Sequence, residues 1–238
     1  MMGSDQRAAL LDLARRYEPR ILFDAREPFL PRWIGVSRLD RPGPSPSARR
    51  ELVPPAGGFV VEYAYYWDWD IQHAYDLEHV WVYVAADGSV SDAEASFHGR
   101  YLKSFVRYPG GRAAGGSEPL VLYSQPGKHA FSPLPDVFRL LPDCDAVTSE
   151  AAGEAGAEVP WPLRDRITHD PAWELPVRES LRRRAFEPAW AFVPWEAPPS
   201  IYVPWSELDS LLPSLFRGVL AAASAEAKAE ASAAVSDP

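Results

Sequence analysis

The chain has one cysteine, Cys144, in 238 residues, so no disulfide can close within it. The segment Met1 to Arg20 is charged and helix-patterned and lacks the apolar core and cleavage site of an export signal, so the expected location is cytoplasmic. Long apolar runs are missing, and no stretch reaches the length of a transmembrane segment. Positive charge is scarce, with 24 Lys and Arg against 33 Asp and Glu. That balance disfavours nucleic acid as a partner, because displacing counterions from a phosphate backbone takes clustered cations. The one basic run, Arg182-Arg183-Arg184, reads as a solvated helix face.

Several motifs are absent as well. Without G-x-S-x-G there is no serine-hydrolase nucleophile. The glycine-rich stretch Pro109 to Gly116 lacks the Gly-Lys-Ser/Thr ending of a phosphate loop and reads as a hairpin turn. Asp143 and Asp145 flank Cys144 and disfavour its thiolate, which argues against a nucleophilic cysteine.

What the chain has in quantity is proline (25) and aromatics (9 Trp, 10 Tyr, 10 Phe), a mixture that favours short strands joined by structured loops. The expected fold class is mostly β, an antiparallel β-sandwich or jelly-roll with N- and C-terminal helices. Residues 1–220 are expected to form a single domain, followed by an alanine-rich tail over 221–238 that is either a frayed helix or disordered. Ser4 is placed to cap a helix with Leu10, Leu13, Ala14 and Tyr17 on one stripe. Arg20 to Ala56 reads as edge strands and coil, with an exposed loop over Arg41 to Arg50. Strands are expected over Phe59 to Trp67, Glu78 to Val84, Glu94 to Val106 and Leu120 to Ser124, and a short helix over Val177 to Ala185. Ser206 and Asp209 resemble a capping box, with Pro213 restarting or kinking the helix that follows.

Ligand-type side chains concentrate in Trp67 to Glu78, where Asp68, Asp70, His73, Asp76 and Glu78 fall within twelve residues. On a strand, Asp76 and Glu78 share one face while His79, Trp81 and Tyr83 share the other. Two carboxylates so close repel unless a cation or proton lies between them. A turn could bring His73 to the same point, giving a divalent metal site for Mg²⁺, Mn²⁺ or Ca²⁺, or for Zn²⁺ or Fe²⁺ with a second imidazole. His98 and His129, each beside a glycine-containing turn, could supply that imidazole. His79 and His169 are expected to be structural. The aromatic cluster from Tyr63 to Trp69 is expected to be core, with a ring-stacking floor for a sugar as the alternative.

The stretch Gln72-His73-Ala74-Tyr75-Asp76-Leu77-Glu78 resembles the G-H-R-H-D-W-E signature of the necrosis- and ethylene-inducing-peptide-like proteins, with the first His, the Asp and the Glu at the same spacing. Gln72, Tyr75 and Leu77 depart from it. Ser96-Phe97-His98-Gly99-Arg100-Tyr101 is similar to a further segment of that family, and the lead ARRYEPRILFDAREPFLP also resembles a group named after a vacuolar sorting protein. The resemblance implies a β-sandwich that ligates a divalent cation through His73, Asp76, Glu78 and an upstream Asp, here Asp68 or Asp70. Three functions stay open. One is a metal-dependent enzyme whose metal polarises a small-molecule substrate or activates water, as in a hydrolase, with His98 or His129 shuttling protons. Another is a lectin- or cytolysin-like protein that binds a glycan or glycolipid through the cation without turnover. The third is a structural metal site in an interaction module.

Overall fold

The computed structural model describes residues 3–104 and 120–235. Helix α1, Ser4–Arg16, opens on Gly3, whose amide donates to the Gln6 side chain at 3.3 Å, so Ser4 lies inside the helix rather than at its cap. Ten strands follow: β1 Arg20–Asp24, β2 Trp33–Leu39, β3 Gly43–Pro44, β4 Glu51–Leu52, β5 Phe59–Trp69, β6 Ala74–Val84, β7 Val90–Phe97, β8 Arg100–Lys103, β9 Val121–Ser124 and β10 Phe131–Ser132. The other strands and α-helices of the described residues are α2 Glu174–Arg182, β11 Phe192–Pro194, β12 Tyr202–Pro204 and α3 Trp205–Val235.

The larger sheet runs β12-β2-β5-β6-β7-β8 and the smaller β10-β9-β1-β11, and the expected mostly β sandwich with terminal helices stands. Most ladders are antiparallel; β1 with β9 and β2 with β12 are parallel, which the long connections between those strands permit. β1 and β2 are interior strands rather than edges, because β9 with β11 and β12 with β5 arrive from distant sequence to flank them. β5 is buried on both faces: Tyr65 and Trp67 meet Phe131 of the smaller sheet, while Tyr66 meets Tyr75, which packs on Phe216 of α3. A strand covered on both sides reads as a continuous apolar run. Tyr63, Tyr65, Tyr66 and Trp67 are therefore core and no open stacking floor.

The segment expected as an exposed loop over Arg41 to Arg50 instead folds back through β3 and β4, and the Ser45 and Ser47 hydroxyls donate to the buried Glu62 carboxylate. A buried carboxylate needs donors, and this segment supplies them. The short helix starts earlier than expected, at Glu174. α3 passes Pro213 unbroken; proline leaves the Asp209 carbonyl without its helical donor, and Arg166 Nη1 donates to that oxygen at 2.9 Å. Ser206 lies in the first turn of this helix rather than at its cap. Beyond Leu220 the helix continues to Val235, with Ala223 buried and Glu226 bound to Arg183 and Arg184 of the α2 end. The strand expected over Glu94 to Val106 is β7 and β8 with a turn at His98 and Gly99, and the glycine-rich turn at 109–116 lies outside the described residues. Among the described residues no helix is long and apolar enough to cross a membrane.

Candidate binding site at the sandwich rim

The turn between β5 and β6, residues 70–73, is clasped from two sides. Ile71 N donates to Gly127 O at 2.8 Å, Ala74 N to Gly156 O at 3.0 Å and Gly153 N to Ile71 O at 2.8 Å. Asp70 is almost wholly buried beneath this turn and accepts from Gln72 N at 2.7 Å and from Lys128 Nζ at 2.7 and 2.8 Å, with His73 Nε2 3.8 Å away. Burial works to raise its pKa, but the nearby charges of His73, Lys128 and His129 bring it below the ordinary carboxylate range.

Lys128 and His129 arrive on a turn in which Gly127 and His129 both have positive φ, +68° and +59°. The His129 ring is buried and lies flat on the Trp67 indole, centroids 4.4 Å apart at an interplanar angle of 1°. Its Nδ1 is 2.9 Å from Asp76 Oδ2, and its Nε2 forms a looser ion pair of 3.4 Å with Glu27 Oε1. Burial disfavours the charged ring, yet the two carboxylates outweigh it and raise the pKa to about 10, so the group is an imidazolium at neutral pH.

Asp76 and Glu78 lie on β6 and share a face, as the two-residue period dictates. Ser96 Oγ donates to Glu78 Oε2. Burial and the Asp76 charge push the Glu78 carboxyl up to about 8 against the opposing effects of Ser96 and His129. Asp70 thus lies with Lys128 and, more loosely, His73, Asp76 lies with His129, and Glu78 is within electrostatic reach of Asp76, Asp70 and His129. Asp68 is engaged elsewhere, by Arg32 Nη1 at 2.8 Å and the Tyr66 hydroxyl at 3.0 Å. His98 is exposed, and its Nε2 lies 2.6 Å from Gln125 Oε1, so it touches the turn carrying His129 and not the carboxylates. His79 stacks on Trp81, and His169 pairs with Glu174.

Glu27, Lys128 and Ser96 went unselected in the sequence. Ser96 opens the Ser96–Tyr101 segment and Lys128 adjoins His129, whereas Glu27 lies inside the ARRYEPRILFDAREPFLP lead with no periodic pattern to mark it as a site residue.

Among the described residues no group of three His, Cys, Asp or Glu side chains is set to hold one metal ion. Lys128 and the His129 imidazolium already neutralise Asp70 and Asp76, so a resident ion held by protein ligands alone does not fit. A hard divalent ion at Asp76 and Glu78 would have to take its other ligands from water or a bound molecule.

Fold and site define a β-sandwich protein with a charged, half-buried carboxylate and imidazole cluster on one rim. No protein-family profile matches the chain, and comparison with curated proteins finds no relative. Similar solved structures include NLPPya in complex with glucosamine, at 16% identity and a TM-score of 0.33 over 75% of this chain and 90% of that one. NLPPya in complex with mannosamine follows at 15% and 0.28, over 75% and 91%. A crystal structure of an NLPPya mutant gives 15% and 0.28, over 74% and 89%. NLPPya is a necrosis- and ethylene-inducing-like protein. At TM-scores this low the likeness carries no argument about ligand or activity.

Proposed function

We propose that the chain is a binding protein without turnover, taking a hydroxyl-rich ligand of the glycan class at this rim with a divalent cation shared between protein and ligand. The observation that carries the reading is that Asp76 and Glu78 share one face of β6, both only partly buried, while His73, Gln72 and Lys128, gathered on Asp70 at the turn before β6, also reach solvent in part. Such a group can accept from and donate to sugar hydroxyls, and vicinal hydroxyls can complete the oxygen shell that Ca²⁺, Mg²⁺ or Mn²⁺ requires. Binding favours this reading over catalysis because both candidate proton shuttles are committed: His129 is locked between two carboxylates and His98 is tied to Gln125.

A glycan array that includes glucosamine and mannosamine, run with calcium or magnesium and again with EDTA, tests the proposal. Cation-dependent retention that is lost in Asp76→Asn and Glu78→Gln supports it. Retention unchanged in EDTA removes the cation from the reading, and no retention under either condition overturns it. Metal-dependent turnover abolished by Asp76→Asn would return the site to the enzyme reading.

A further inference from the structure

We infer that Glu27 is the positioning residue of the rim site, holding the 127–129 turn from behind so that His129 presents Nδ1 to Asp76. This rests on the reading that Asp76 belongs to the ligand site. The Glu27 side chain is 1% exposed although its chain neighbours Arg26 and Pro28 are open to solvent. Both of its oxygens are used: Oε2 accepts from Gly127 N at 2.7 Å, while Oε1 accepts from Phe29 N at 3.2 Å and faces His129 Nε2 at 3.4 Å.

The turn it grips needs holding. His129 is a non-glycine residue at φ +59°, a conformation that persists only where surroundings impose it. Three restraints act on the ring together: the Trp67 face beneath, the Phe29 edge at 6.4 Å, and Glu27 opposite Asp76. Glu27 follows β1 of the smaller sheet and Asp76 lies on β6 of the larger. The chain Glu27, His129, Asp76 therefore ties the segment that follows β1 of the smaller sheet to β6 of the larger. Outer-shell partners that orient a metal-binding carboxylate are worth about tenfold or more in metal affinity.

The test uses the full chain and two variants, Glu27→Gln and Glu27→Ala, with ¹⁵N–¹H spectra of the histidine side chains at one neutral pH. His129 resonances are assigned by their loss in His129→Gln. Calcium chloride is titrated by calorimetry, alone and with glucosamine. Both variants are expected to shift the His129 ring resonances while leaving those of His79 and His169 in place, and Glu27→Ala is expected to weaken calcium binding about tenfold. Unmoved His129 resonances in both variants, even with a lower melting temperature, would make Glu27 merely structural and overturn the inference. If Glu27→Ala does not fold, Glu27→Gln decides, since it keeps an oxygen for the Gly127 amide. If the unaltered chain binds no calcium either alone or with glucosamine, calcium drops out of the reading of the site, and the His129 resonances still test the role of Glu27.

Discussion

The indole Nε1 of Trp81 donates to Glu62 Oε2 at 2.8 Å, across the ladder pair that sets these two residues opposite each other on β5 and β6. Glu62 is fully buried, and Ser45 and Ser47 complete its donors, so one carboxylate pins the 43–52 segment onto the face of the larger sheet that carries His79 and Trp81. Replacing it by alanine strands three buried donors. Each such loss costs about 1–3 kcal/mol, so Glu62→Ala is expected to destabilise by about 3 kcal/mol or more in urea unfolding. A loss below about 1 kcal/mol would mean that water replaces the carboxylate freely.

Gly127 makes a second test, because its φ is +68° and an added Cβ would lie 2.8 Å from Ile71 Cγ2 and 3.0 Å from Thr148 Cγ2. Gly127→Ala is expected to cost about 1–3 kcal/mol and to displace the turn that carries Lys128 and His129. Ligand binding should fall more than stability alone explains. A variant with normal stability and normal binding would show that the turn is not held against Ile71.

Much of the fold was legible because strands β5 and β6 have dense apolar and aromatic patterns, and the H-x-x-D-x-E spacing marked the rim with no knowledge of its partners. Local pattern is silent where distant chain decides the outcome. Nothing near Arg41 to Arg50 signals that Glu62 needs the Ser45 and Ser47 hydroxyls, and nothing near Asp68 announces Arg32. Asp76 and Glu78 on one face were expected to need a cation or a proton between them, and the chain supplies charges and a proton of its own. His129 sits on Asp76, Lys128 sits on Asp70, and burial holds a proton on Glu78. Those cations lie more than fifty residues downstream of the carboxylates they meet, beyond the reach of any local spacing rule.

Glu78 gives the stability a pH dependence of definite sign in protein stripped of metal with EDTA. Its folded pKa of about 8 lies above that of an exposed glutamate, so the folded state holds a proton that the unfolded chain releases. The contribution is complete below the ordinary carboxylate range and is lost as pH rises through about 8. Thermal melts of the unaltered chain should fall between mildly acidic and mildly alkaline pH, and Glu78→Gln should flatten that slope. An equal slope in both proteins would assign it to another group.

Glu226 has the opposite sign and concerns the long helix. Arg184 is the main cause of its low pKa, with Ser180 and Arg183 adding and burial opposing, and the carboxyl is drawn down to about 2. Its stabilisation is therefore present above the ordinary carboxylate range and lost as pH falls toward about 2. Because the side chain is 36% exposed, salt screens the interaction and the gain is modest. Glu226→Gln should lower the melting temperature at neutral pH in low salt, and the difference should shrink both in high salt and at about pH 3. Circular dichroism gives a sharper readout. If Arg183 and Arg184 anchor the alanine-rich end of α3 through Glu226 and Glu230, the variant should lose helix signal in a separate transition below the main melt. A single transition with unchanged helix content would show that Ala223 and its apolar neighbours hold this end of the helix without the ion pairs.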